Sequence, residues 1–157
     1  MRSPDVAVTP WRHRNWLVVI AACLLSACKA PPELRPDQVL RDSLDLTDRD
    51  RVHTLRLSAA ASGAETVLPE WLEVAPGDYV SIETVDRRAR SVGFERDSLP
   101  PEAAEWAESA GLFASPLLPD SGARWVLDFS DAPLGAYPFR VLGGGADGHG
   151  VIRVDQR

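Results

Sequence analysis

From residue 52 onward, apolar and polar positions alternate in short runs. His53, Leu55 and Leu57 stand against Thr54, Arg56 and Ser58, and Val80, Ile82 and Thr84 against Ser81 and Glu83. The same period returns in Trp125, Leu127 and Phe129, in Tyr137, Phe139 and Val141, and in Ile152 and Val154. Successive side chains of a strand point to opposite faces, so a period of two predicts strands with one buried face. Turn sequences separate the runs at Ala75-Pro76-Gly77-Asp78, Asp120-Ser121-Gly122 and Pro133-Leu134-Gly135, and several short strands punctuated in this way predict an all-β sandwich. Trp125, Phe129, Tyr137 and Phe139 fall on the apolar side of their runs and are expected to fill its core, together with Trp71 and Trp106.

Two stretches break the alternation. Pro100-Pro101-Glu102 opens Ala103 to Ala110, rich in Ala and Glu, and Gly111 can end it, which predicts one short helix inserted in the sandwich. Upstream, Val39, Leu40, Leu44 and Leu46 are spaced for a short amphipathic helix capped by Asp37, expected to pack on the domain. The Pro-rich segment Lys29 to Pro36 before it is expected to be extended and to hold the domain off a surface.

The first 28 residues follow a different pattern. Arg2, Arg12 and Arg14 precede a short apolar run, Leu17 to Leu25, and the run ends in Leu25-Ser26-Ala27-Cys28. Charged, apolar and small residues in this order are those of a secretory leader, and about nine apolar residues are too few to span a bilayer. Leu25-Ser26-Ala27-Cys28 resembles the cleavage motif of bacterial lipoproteins. That resemblance implies cleavage before Cys28, acylation of its sulfur and amino group, and a membrane anchor. Lys29 after the cysteine implies the outer membrane, with the domain facing the periplasm. The chain is thus expected to divide into a signal peptide (1–27), a lipidated cysteine with tether and short helix (28–51), and the β-sandwich (52–157).

Charge and cysteine content narrow the function. The chain of 157 residues carries 17 basic and 23 acidic residues; the leader takes three Arg and one Asp with it and leaves 14 basic and 22 acidic. A surface with that balance repels nucleic acid and has no electrostatic grip on anionic lipid, so attachment falls to the acyl chains. The two cysteines are Cys23, inside the leader, and Cys28, so the mature chain has no disulfide.

Residues 67–80, Val-Leu-Pro-Glu-Trp-Leu-Glu-Val-Ala-Pro-Gly-Asp-Tyr-Val, resemble the entry to a cupredoxin, the plastocyanin and azurin fold. Asp86 to Val92 resembles the loop delivering the first copper histidine, Gly135-Ala136-Tyr137-Pro138-Phe139 the strand leading to the copper cysteine, and Gly148 to Val154 the closing strand. The resemblance covers about residues 52–156 and implies a seven- or eight-stranded Greek-key sandwich. It maps the copper ligands onto Arg90, Val141, Gly144 and His149. A blue-copper centre needs two imidazoles, a thiolate and a weak axial ligand. Arginine cannot ligate a metal, and valine and glycine have no donor. The type 1 site is therefore expected to be absent, with no cofactor bound.

What remains near the mapped site is a basic cluster and a loop. Arg87, Arg88 and Arg90, with Asp147 and His149, form a candidate interaction loop for an anion or an acidic envelope partner. The competing reading is a solvated turn balanced by Glu83, Asp86, Glu95 and Asp97. His149 is a weak candidate for a metal, with Asp147 as second ligand, and His53 reads as a satisfied strand histidine. No Ser-His-Asp arrangement and no phosphate-cradling loop is present, since Gly143 to Gly145 opens no helix. The expected function is a non-enzymatic, lipid-anchored interaction or structural module of the cell envelope. The alternatives are a copper electron carrier and a small-ligand binder with a pocket lined by Val92, Val141 and His149.

Overall fold

A computed structural model describes residues 30–157. The alternating runs form eight strands: β1 (Val52–Ala59), β2 (Glu65–Leu68), β3 (Trp71–Val74), β4 (Tyr79–Thr84), β5 (Ser91–Phe94), β6 (Arg124–Asp128), β7 (Gly135–Leu142) and β8 (Gly148–Val154). They pair into two four-stranded sheets, in the order β2-β1-β4-β6 and β3-β8-β7-β5. β1 runs parallel to β4 and β3 parallel to β8, while the other neighbours are antiparallel. The chain therefore crosses between sheets after β2, β3, β4, β5 and β6, which places residues distant in sequence at the same end of the sandwich.

The inward faces are the ones read from the alternation. Leu55, Leu57, Val80, Ile82, Thr84, Tyr137, Val141, Ile152 and Val154 have no exposed surface, and Phe129 and Phe139 join them in one core. Phe94, Phe129, Tyr137 and Phe139 meet edge to face at centroid distances near 6 Å, the arrangement that ring quadrupoles favour. Trp106, half-buried on helix α2 (Pro101–Ser109), stacks edge-on against Tyr137 at 5.4 Å and closes that end of the core. Gly111, at φ +68, stops α2 as expected, because a side chain there is strained. Burial, with a smaller push from Glu102, raises the Tyr137 hydroxyl to about 12. As a neutral donor it hydrogen-bonds the Pro133 carbonyl.

Three expectations change. Trp71 is 48 % exposed rather than in the core, since β3 is an edge strand and Trp71 points away from the facing sheet while Leu72 and Val74 point in. The N-terminal helix α1 spans Gln38–Leu44, with the Asp37 carboxylate accepting the Leu40 N–H, but only Leu40 of its apolar residues is buried. Asp45 adopts a left-handed φ of 53° and ends the helix there, so Leu46 turns back onto the sheet while Val39 and Leu44 stay exposed. Leu40, Leu46 and Val52 form a second small core with Tyr79 and Val126 on the outer face of the first sheet.

The segment before α1 is folded rather than extended. Ala30 and Pro36 are buried, residues Pro32–Leu34 make a 3-10 turn, and Arg35 Nε donates to the Ala30 carbonyl at 3.0 Å. Residues 30–50 thus form a third layer over the first sheet, pinned by an ion pair between Arg124 and Asp37. Among the described residues, no helix is long and apolar enough to cross a membrane.

Candidate functional site

The end of the sandwich onto which the resemblance maps the copper ligands is built from the 86–90 loop, the start of β2 and the 143–148 loop. Glu65 opens β2 with its side chain turned inward and fully buried, and its N–H donates to the Ala146 carbonyl at 2.9 Å, which ties the glycine loop down over it. Arg90 is 1 % exposed. Its Nε donates to Glu65 Oε2 at 2.6 Å, and its two Nη atoms grip Asp86 in a fork, at 2.5 Å to Oδ1 and 2.9 Å to Oδ2. Arg88 Nη1 reaches the other Glu65 oxygen at 3.0 Å and the Gly63 carbonyl at 2.8 Å. Asp86 also accepts the N–H groups of Ala59 and Arg88. The hydrogen bonds from Arg90 hold the Asp86 carboxyl far below the usual carboxylate range, and the Asp86 fork in turn raises the Arg90 guanidinium.

Glycine is required where the loop closes on this cluster. A side chain at Gly143 runs into the Glu65 carboxylate, and one at Gly148 presses on the Glu65 backbone and Cβ. A buried charge is tolerated only when paired and hydrogen-bonded. Here every guanidinium nitrogen of Arg90 and both oxygens of Glu65 have a partner.

The structure divides the candidate interaction loop. Arg90 is withdrawn from the surface, and Arg88 is half-buried on Glu65; only Arg87 stands exposed. The balancing acids named for a solvated turn are also replaced: of Glu83, Asp86, Glu95 and Asp97, Asp86 alone serves the cluster, and Glu65 is the partner that residue spacing did not reveal. Asp147 lies 3.9 Å from Arg140 instead. His149 sits opposite Arg140 on the outer face of β8, 65 % exposed, with Nδ1 3.4 Å from Glu95 Oε1. The side chains of β8 alternate, so Gly148 faces the cluster and His149 faces away from it. Val92 and Val141 are cross-strand partners inside the core, so no pocket is shared by Val92, Val141 and His149.

Two further clusters lie elsewhere. At the opposite end of the sandwich, His53 Nε2 meets Asp78 Oδ2 at 3.0 Å, and Arg157 pairs with the other carboxylate oxygen. Burial pushes the Asp78 carboxyl up, but hydrogen bonds from Arg157, the Ala75 N–H and His53 outweigh it and hold the group below its ordinary value. His53 is thus satisfied within the fold. On the open outer face of the second sheet, a shallow groove of about 330 Å³ runs between Trp71, Glu70, Pro138, Val151, His149 and Glu95.

The residues at the mapped copper position do not suit that metal. Arg90 is a cation, Val141 and Gly144 offer no donor, His149 points the other way, and the Glu65 carboxylate already holds two guanidinium groups. Among the described residues, no group of three or more His, Cys, Asp and Glu side chains is arranged to hold a metal ion. Cys28 lies outside the described residues.

No family model matches the chain, and no curated protein matches it. The solved structures it is similar to include cupredoxins. Plastocyanin from Dryopteris crassirhizoma is 16 % identical with a TM-score of 0.49, over 65 % of this chain and 99 % of that one. A purple cupredoxin from Nitrosopumilus maritimus is 16 % identical with a TM-score of 0.44, over 66 % and 99 %. Pseudoazurin from Methylobacterium extorquens AM1 is 12 % identical with a TM-score of 0.43, over 68 % and 76 %.

Proposed function

We propose that this chain is an exported, lipid-anchored module of the cell envelope that acts without an enzymatic centre and without copper, through contacts with an envelope partner. The observation that carries the metal-free reading is Arg90: a guanidinium with 1 % exposure, forked onto Asp86 and bonded to Glu65, stands where a copper histidine is expected. The anchor is supported by the order of charged, apolar and small residues ahead of Cys28. With Arg88 and Arg90 turned inward, the candidate contact surface moves to the outer face of the second sheet, where Trp71, Glu70, Glu95 and His149 are accessible. An exposed tryptophan beside carboxylates suits a partner that brings apolar and basic groups together.

Copper titration of the purified mature protein tests the metal-free reading. The expected result is neither an intense thiolate charge-transfer band nor a narrow-hyperfine spectrum, with at most a weak tetragonal signal from His149 that a modest chelator removes. A tight stoichiometric blue site restores electron transfer as the function.

A further inference from the structure

The N-terminal layer bears on how such a module sits at a membrane. Ala30 is 2 % exposed; its N–H donates to the Asp48 carbonyl at 3.0 Å and its carbonyl accepts Arg35 Nε. Asp48 in turn pairs with Arg41 of α1 at 3.0 Å, so the first described residue is stitched to the helix layer. Between Cys28 and Ala30 stands a single residue, Lys29. Two residues of fully extended chain reach about 7 Å, which is comparable to the depth of one headgroup layer, about 5 to 8 Å. A domain tethered on that length has no free spacer.

We infer that the domain lies directly on the bilayer, with the layer formed by residues 30–50 facing the lipid and the outer face of the second sheet turned away from it. This rests on the proposed acylation of Cys28. Val39, at 70 %, and Leu44, at 44 %, are the exposed apolar side chains of this layer. It carries no basic patch, because Arg35, Arg41 and Arg49 are outnumbered by Glu33, Asp37, Asp42, Asp45, Asp48 and Asp50. Neutral lipid contact under a covalent anchor therefore fits better than electrostatic adsorption. The two sheets of a sandwich stand back to back about 10 Å apart, so this orientation puts the Trp71 and His149 face outward, open to a partner approaching from the aqueous side.

The experiment uses full-length protein expressed with its leader and reconstituted into phosphatidylcholine vesicles carrying a headgroup nitroxide. A maleimide fluorophore is placed on Val39→Cys in one variant and on Ala136→Cys, on the exposed face of β7, in the other; the acylated Cys28 sulfur does not react. The expected result is loss of most of the emission at position 39 and retention at position 136. Equal quenching at both positions, or stronger quenching at 136, overturns the orientation. Emission retained at both positions in vesicles that carry the protein overturns the close contact. Intact mass and flotation of the same samples report acylation separately, and an unmodified mass removes the anchor and this inference with it.

Discussion

Arg90 and Glu65 stand 25 positions apart in the chain and meet with no exposed side-chain surface between them. Arg90→Ala leaves Glu65 buried with a weakened set of partners, and removing one member of a buried pair costs about 3 to 5 kcal/mol. Urea unfolding measures this, and a loss below about 1 kcal/mol contradicts the buried network. Replacing the fully buried pair, as Arg90→Met with Glu65→Leu, is expected to recover part of that loss, because the charges left without those partners, Asp86 and Arg88, are each 35 % exposed and reach water. Trp71 and Phe129 give the opposite contrast. Phe129→Ala is expected to cost about 3 to 5 kcal/mol from the core, whereas Trp71→Ala, on the exposed edge strand, is expected to stay within about 1 kcal/mol of the parent; a thermal melt that ranks them the other way overturns the face assignment. The cluster was hard to read in the sequence because alternation reports apolar burial and says nothing of a buried carboxylate paired across a crossover. Gly143 and Gly148 were the available signal, two positions where the loop leaves room for the Glu65 side chain.

At the scale of elements, the strands were legible wherever their two faces differ. β7 and β8 alternate cleanly and bury the residues the period selects, while in β4 the polar Ser81 is buried as well as Val80 and Ile82. β3 misled because Trp71 is large and apolar, yet an edge strand has less sheet to cover its outer face. α1 misled at its end, since the helical spacing of Leu44 and Leu46 ignores the left-handed turn at Asp45 that separates them. The Pro-rich segment before it misled in another way: proline stiffens a chain without keeping it off the domain, and Ala30 and Pro36 are both buried. The Asp37 cap makes this layer testable. Asp37→Ala removes the acceptor for the Leu40 N–H and the partner of Arg124, and loss of such a cap costs about 1 kcal/mol. Hydrogen exchange at residues 38–44 is expected to quicken while β7 and β8 stay protected; unchanged exchange in α1 contradicts the capping role.

For the whole molecule, acid is the condition that acts on both ends at once. Asp86 is held low by the Arg90 fork, and Asp78 is held low by Arg157, Ala75 and His53 against its burial. A carboxylate whose folded pKa lies below its unfolded value stabilises the fold above the unfolded value, near 3.9, and that contribution fades as pH falls through the folded one. The melting temperature is therefore expected to fall as pH drops from about 5 toward about 2, and a fold that gains stability over that range contradicts both clusters. Period and turn chemistry made the two-sheet architecture legible, while the contents of the mapped metal position emerged only from the crossovers that bring residues 65, 86, 90, 143 and 148 together. Whether those contents replace a metal is the central question, and the thermal melt of chelator-treated protein with and without excess copper addresses it most directly. A ligand present at about 100 times its Kd and binding only the native state adds about 2.7 kcal/mol of stability. The ion-pair account predicts superimposable melts, and a copper-dependent rise in Tm contradicts it.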